Sequence, residues 1–216
     1  DRLGFNTFWM AEHHFQPEGY ECIPNVILLA LHLSHLTTRL RFGCGFNITP
    51  MWHPLRLAED FATAEILTGG RVTFGVGRGN HTREVETFGS PLLDQPANRA
   101  LFEEQVELVL TAMREERFAH HGKHYTIPPN VPYRGYQLKA LSVVPRPLHD
   151  FECWQPIQSA SQRALDFMAK HRIKGAIGGG SAEGGAVPTV VQAWQKTQAR
   201  FGRDLELGED LAFGYQ

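Results

Sequence analysis

The segment Ala11-Glu12-His13-His14-Phe15 places a carboxylate and two imidazoles at consecutive positions. Imidazole titrates near neutral pH, so it serves as a general acid or base and as a metal ligand. Neighbouring residues on an extended segment point to opposite sides, so only one of His13 and His14 can face a given site. A pair of packing or capping histidines is the plainer alternative. A second candidate is Gly75-Val76-Gly77-Arg78-Gly79, where the glycines admit close backbone approach and the planar fork of Arg78 suits a phosphate. Asn80 stands where the third glycine of G-x-G-x-x-G belongs, and no Lys-Ser/Thr pair follows, so neither a dinucleotide fingerprint nor a P-loop is present. Taken alone, the segment reads as a tight turn with a surface arginine. The third is Gln158-Ser159-Ala160-Ser161, at an expected strand-to-helix junction whose hydroxyls and free amides also suit a phosphate. Ser161 equally reads as a simple N-cap.

Other chemistries find less support. Among the 11 histidines, His32 and His35 share one expected helix, and His120, His121 and His124 cluster in an irregular region. No carboxylate or cysteine completes a zinc set at ordinary spacing, and Glu12-His13-His14 is not H-E-x-x-H, so no metal is expected. G-x-S-x-G is absent, and Cys22, Cys44 and Cys153 lie far apart with no histidine in a recognisable nucleophile arrangement. Three widely separated cysteines argue against a disulfide framework and for a reducing, cytoplasmic setting. With 21 Lys+Arg against 23 Asp+Glu the chain lacks the basic footprint of a nucleic-acid binder. No apolar run is long enough to span a bilayer, and no signal peptide opens the sequence.

The elements that must position these groups alternate along the chain. Strands are expected at Asn6 to Ala11, Arg39 to Phe46, Arg71 to Val76, Gln155 to Ala160, Gly175 to Ile177 and Leu211 to Tyr215. Helices are expected from Pro24 towards Thr37, from Pro54 to the Gly69-Gly70 stop, from Asn98 to Arg114, after Ser161, and from Pro188. Gly178 to Gly185 reads as a flexible loop. From Phe118 to Pro156, prolines and aromatics interrupt the pattern over a stretch too long for an ordinary connection, which suggests a lid or binding loop. About six strands separated by helices imply a parallel α/β sheet. A doubly wound open sheet and a (β/α)8 barrel both satisfy that alternation.

In order, these segments resemble the bacterial luciferase-like monooxygenase family. The resemblance rests on Leu3 to Phe15, on Arg39 to Pro50 followed by His53 to Asp60, and on Thr68 to Gly79, each at the family's spacing. It extends more loosely through Pro145-Arg146-Pro147 and Gln158-Ser159-Ala160. It implies one (β/α)8 TIM-barrel domain over residues 1–216, with the irregular stretch at about 118–156 as an inserted lid. On that frame Asp1 falls in the helix before strand two and Gln216 in strand seven, so strands two to seven are expected and the barrel is truncated at both ends.

The resemblance further implies an enzyme that uses reduced FMN and oxygen to oxygenate a small organic substrate, with FMN supplied by a separate NAD(P)H-dependent flavin reductase. A homodimer is also implied. By position, His13 resembles the catalytic histidine beside the flavin. Gly45-Phe46 resembles the site of a non-proline cis peptide against the ring. Arg78 and Ser159 resemble phosphate contacts, with Gln158 and Ala160 at the same junction. Two rival readings accompany this one: a deazaflavin-dependent oxidoreductase on the same barrel, and a flavin-binding relative or fragment without turnover.

Overall fold

The computed structural model describes residues 1–19, 22–178 and 187–214. In chain order the elements are β1 (Thr7–Met10), α1 (Val26–Ser34), β2 (Arg41–Cys44), β3 (Asn47–Ile48), α2 (Pro54–Leu67), β4 (Val72–Gly77), α3 (Thr82–Val85) and α4 (Gln95–Arg114). Two small hairpins follow, β5 (His120–His121) with β6 (Thr126–Ile127), and β7 (Pro132–Tyr133) with β8 (Tyr136–Gln137). The chain continues through β9 (Cys153–Ile157), α5 (Gln162–His171), β10 (Lys174–Ile177), α6 (Val187–Arg200) and β11 (Leu211–Phe213).

Six strands lie side by side in the order β1-β2-β4-β9-β10-β11, with β3 added alongside β4. Every neighbouring pair is parallel, with Thr7 opposite Arg41, Phe42 opposite Val72, Phe74 opposite Cys153 and Lys174 opposite Trp154. A doubly wound sheet would reverse its strand order at a switch point. Here each strand is laid beside its predecessor without reversal, which is the winding of a barrel wall. The result is a parallel half-barrel of six strands.

The helices bury one stripe each against the outer face of this wall. Leu57 and Phe61 of α2, and Phe102, Val106 and Val109 of α4, join Phe42, Phe74 and Val76 of the strands in one core. Phe61 and Phe74 meet at 4.6 Å between ring centroids. Burying a side chain of this size contributes about 1.5–3 kcal/mol. Cys44 and Cys153 belong to the same core, and burial pushes both thiols up to about 12. No described helix is long and apolar enough to cross a membrane.

Several boundaries differ from expectation for local reasons. The first helix begins at Val26, because Asn25 caps it by accepting from Leu28 N at 2.9 Å, which leaves Pro24 outside. The long helix begins at Gln95, because Asp94 accepts from Ala97 N at 3.0 Å and Pro96 occupies the first turn. β9 runs from Cys153 to Ile157, since its register against β10 ends at Ile157 opposite Ile177. Gln158 to Ala160 therefore follow the strand. Asp1 is not helical, and its carboxylate accepts from Thr38 N at 2.6 Å and Leu40 N at 2.8 Å. No local sequence pattern marks the single turn of α3. Most of the glycine-rich loop and Tyr215 lie outside the described residues.

The stretch that follows α4 is tied to the outside of the helices. Phe118, Ile127 and Val143 enter the core. Glu104 of α4 accepts from the backbone N–H groups of Lys123, His124 and Tyr125 at 3.0, 3.0 and 2.9 Å. Glu65 of α2 accepts from Leu148 N at 2.8 Å.

Candidate functional site

A cleft of about 320 Å³ opens where the C-terminal ends of β1, β2, β4 and β9 converge. Polar groups beyond parallel strand ends are placed for chemistry, because the backbone there is released from the sheet. His13 follows β1, Gly45 and Phe46 follow β2, Arg78 follows β4, and Gln158 and Ser159 follow β9. All six line the cleft, and a cis peptide bond joins Gly45 to Phe46. Ala160 is not among the lining residues, and it packs against the core instead. No residue of 118–152 lines the cleft, so the stretch expected as a lid contributes nothing to it before Gln155.

The two adjacent histidines part as extended geometry requires. His13 lines the cleft, and its Nδ1 lies 3.2 Å from Glu84 Oε1. His14 turns to the other side, with Nε2 3.1 Å from Glu12 Oε1 and its ring edge against Phe88. Both glutamates are buried, with side chains 1 % exposed. Glu12 also accepts from Ile48 N at 2.6 Å and from the Trp52 indole N–H at 2.9 Å. Glu84 accepts from His14 N at 3.1 Å and from Gln16 Nε2 at 2.5 Å. Burial alone would raise the Glu84 carboxyl, but the bonds from His14 N, Gln16 and His13 outweigh it and hold the group below its usual range.

The cleft also carries cations: Arg78 and Arg99 line it, Arg99 reaching in from α4. Arg78 is lowered from its ordinary value first by burial and then by the like charge of Arg99, with Arg163 adding to the effect. It stays a cation, since a guanidinium does not lose its proton in proteins. Asn98, fully buried, donates to Arg78 O at 3.3 Å and so fixes the strand end to α4. The start of α5 also borders the cleft, with Ser161 at its N-cap position and its hydroxyl making no capping bond. Gln155, 7 % exposed and lining the cleft, carries a buried Oε1 without a hydrogen-bond partner. Together these groups can hold an anion and exchange a proton within one cleft. Among the described residues no group of three His, Cys, Asp or Glu is placed to hold a metal.

The sequence profile of the luciferase-like monooxygenases matches residues 1–216. The chain belongs to that family. It is 32 % identical over 129 residues to uncharacterized protein y4vJ of Sinorhizobium fredii, covering 60 % of this chain and 35 % of that protein. It is 28 % identical over 128 residues to the oxygenase component of flavin-dependent trigonelline monooxygenase from Acinetobacter baylyi, covering 59 % and 34 %. Among solved structures, monooxygenase RslO1 from Streptomyces bottropensis superposes with a TM-score of 0.82 at 20 % identity, over 99 % of this chain and 60 % of that one. The oxygenating constituent of 3,6-diketocamphane monooxygenase from Pseudomonas putida, in complex with FMN, gives 0.78 at 18 % identity, over 98 % and 57 %. The chain thus spans about 60 % of the solved luciferase-like barrels it superposes on, and its fold is theirs.

Glu84 and Arg99 carry no signal in the local sequence. Arg99 and Glu103 present the spacing of an ordinary surface ion pair, and their charged groups do approach to 4.0 Å. Glu84 stands 71 residues from His13, and no local pattern connects them. Gln155 is expected only as the first residue of a strand, with nothing in the sequence to mark a site role.

Proposed function

We propose that this chain forms the flavin site of a monooxygenase in which reduced FMN and molecular oxygen oxygenate a small organic substrate. The observation that carries this reading is the polarity of the cleft. Arg78, Arg99 and the first turn of α5 line the same cleft as His13, Gly45 and Phe46. A flat ligand with a phosphate at one end fits that arrangement, and so does the unpartnered Gln155 Oε1, which offers an acceptor to a ring N–H. Arg78, Arg99 and Ser159 would hold the phosphate, with Gln158 beside them and Ala160 shaping the loop from its seat on the core. Gly45 and Phe46 would border the ring. When bound, reduced FMN supplies the electrons that activate oxygen. His13 holds or moves a proton on its ring, while Ile48, Leu165 and Met168 in the cleft wall keep water away. The kinship to an oxygenase component supports a partnership with a separate NAD(P)H-dependent flavin reductase.

Anaerobic titration with reduced FMN, followed by admission of oxygen, tests this reading. Saturable binding and oxygen-dependent reoxidation of the bound flavin are expected. Absence of binding to reduced FMN overturns it. Tight binding of a deazaflavin with hydride transfer and no oxygen uptake replaces it with the oxidoreductase reading.

A further inference from the structure

Of the ionisable groups packed near the cleft, Glu84 makes a contact that goes beyond holding the chain in place. It reaches His13 from α3, the single turn after β4, and its side chain is 1 % exposed. His13 Nδ1 stands 3.2 Å from Oε1 and 3.4 Å from Oε2, so both carboxylate oxygens face one ring nitrogen. The other donors to the same carboxylate, His14 N and Gln16 Nε2, come from the same short segment as His13. In that segment Phe15 adopts a φ of 55°, a left-handed conformation that a bulky residue rarely takes without restraint. Glu84 therefore holds the backbone immediately after His13 as well as the ring.

We infer that Glu84 is a positioning residue that sets the tautomer of His13, and through it the proton His13 handles in the cleft. An ionised carboxylate has only lone pairs to offer, so the nitrogen facing it must carry the hydrogen. The neutral ring is then the Nδ1–H form, and proton exchange falls to Nε2. Two other titratable rings lie near His13. His81 meets it edge to face at 5.2 Å between centroids, and His14 is turned to Glu12. The functional half of the inference rests on the proposed flavin reading, whereas the tautomer does not.

The experiment uses nitrogen-15 histidine NMR at about pH 8, above the ordinary histidine range. The His13 signals are assigned by their loss in His13→Gln. The wild-type ring is expected as Nδ1–H. In Glu84→Gln the amide N–H group competes at Nδ1, and the population moves to Nε2–H. Glu84→Asp retains Nδ1–H. A wild-type Nε2–H ring overturns the inference even if Glu84→Gln fails to fold, and so does a folded Glu84→Gln with unchanged tautomer. Reoxidation of reduced FMN by oxygen, followed against pH, tests the functional half. Glu84→Gln is expected to slow it about tenfold and displace its pH profile, with FMN affinity within about twofold and partial rescue in Glu84→Asp. A shifted tautomer with an unmoved profile overturns the functional half. Failure of wild type to bind FMN is a failure of the flavin reading, which the NMR result does not share.

Discussion

Arg78 donates from Nη2 to the side-chain oxygen of Gln95 at 2.7 Å, so an amide holds this cation at the cleft wall. An amide orients the guanidinium without neutralising it, and the positive charge stays available to a ligand. Gln95→Glu should therefore act as a built-in competitor. FMN affinity should fall about tenfold, while riboflavin, which lacks the phosphate, should be held within about twofold of wild type. Arg78→Ala should weaken FMN further, by about 10- to 100-fold, with the same sparing of riboflavin. Parallel fluorescence titrations with the two flavins check both variants. Equal losses for FMN and riboflavin would remove the phosphate role from Arg78.

Glu103 offsets the charge of the neighbouring arginines. It takes two bonds from Arg163, at 3.1 and 2.6 Å, and lies 4.0 Å from Arg99. Glu103→Gln leaves that corner one negative charge poorer. FMN binding should tighten by about two- to fivefold in dilute buffer and return towards the wild-type value as salt is raised, since partly exposed charges are screened. A titration series in sodium chloride measures the difference, and an effect independent of salt would argue against a Coulombic origin.

The legible parts of the molecule were those written in short-range pattern. Strand–helix alternation gave the parallel wall, and Pro54 with Gly69-Gly70 bounded α2 correctly. The opposition of His13 and His14 followed from period-two geometry and is seen in their separate partners. Choosing between barrel and open sheet required the resemblance, because the decisive property is strand order. Cys153 and Trp154 read as the tail of the irregular stretch from Phe118 to Pro156, which sets the expected strand later than β9 lies. Glu84, Arg99 and Gln155 stayed hidden for a different reason. Their significance lies in contacts across the fold, and each is unremarkable among its sequence neighbours.

Glu12 should matter more to stability than to chemistry. It is 2 % exposed and joins the end of β1 to β3 by accepting from Ile48 N and the Trp52 indole. Glu12→Ala strands both donors in the interior, at about 1–3 kcal/mol each. Urea denaturation should show a loss of about 2–5 kcal/mol, and Glu12→Gln should recover part of it because its oxygen still accepts. A loss below about 1 kcal/mol would mean that the donors find other partners.

Gly43 is required by Trp9. The two face each other across β1 and β2, and the indole lies over the position where a Cβ at residue 43 would stand. Trp9 also meets Trp154 edge to face at 5.7 Å. Gly43→Ala should push the indole off this seat, costing about 1–3 kcal/mol of overpacking and shifting the tryptophan emission. Adding Trp9→Ala should make the Gly43→Ala change nearly neutral, a coupling readable in a double-mutant cycle. Strict additivity would show that the indole moves without cost.

Acid should release the hairpin of β5 and β6 through Glu104. This carboxylate, 12 % exposed, accepts from the N–H groups of Lys123, His124 and Tyr125 and lies 3.1 Å from His120 Nε2. Burial pulls its titration upward, but His120 and the N–H groups of Tyr125 and His124 more than offset that, so it is held below the ordinary value of 4.5. A carboxyl depressed in the folded state contributes stability that is fully present above its unfolded value and is lost as pH falls through the folded one. The hairpin should therefore be indifferent to pH from neutrality down to about 5 and open only below the ordinary glutamate range. Amide hydrogen exchange at Lys123, His124 and Tyr125, corrected for the intrinsic pH dependence, reads this directly. Glu104→Gln should abolish the acid transition and leave part of this amide set less protected at every pH, because only one oxygen still accepts. If the transition survived in that variant, another carboxylate would be responsible for it.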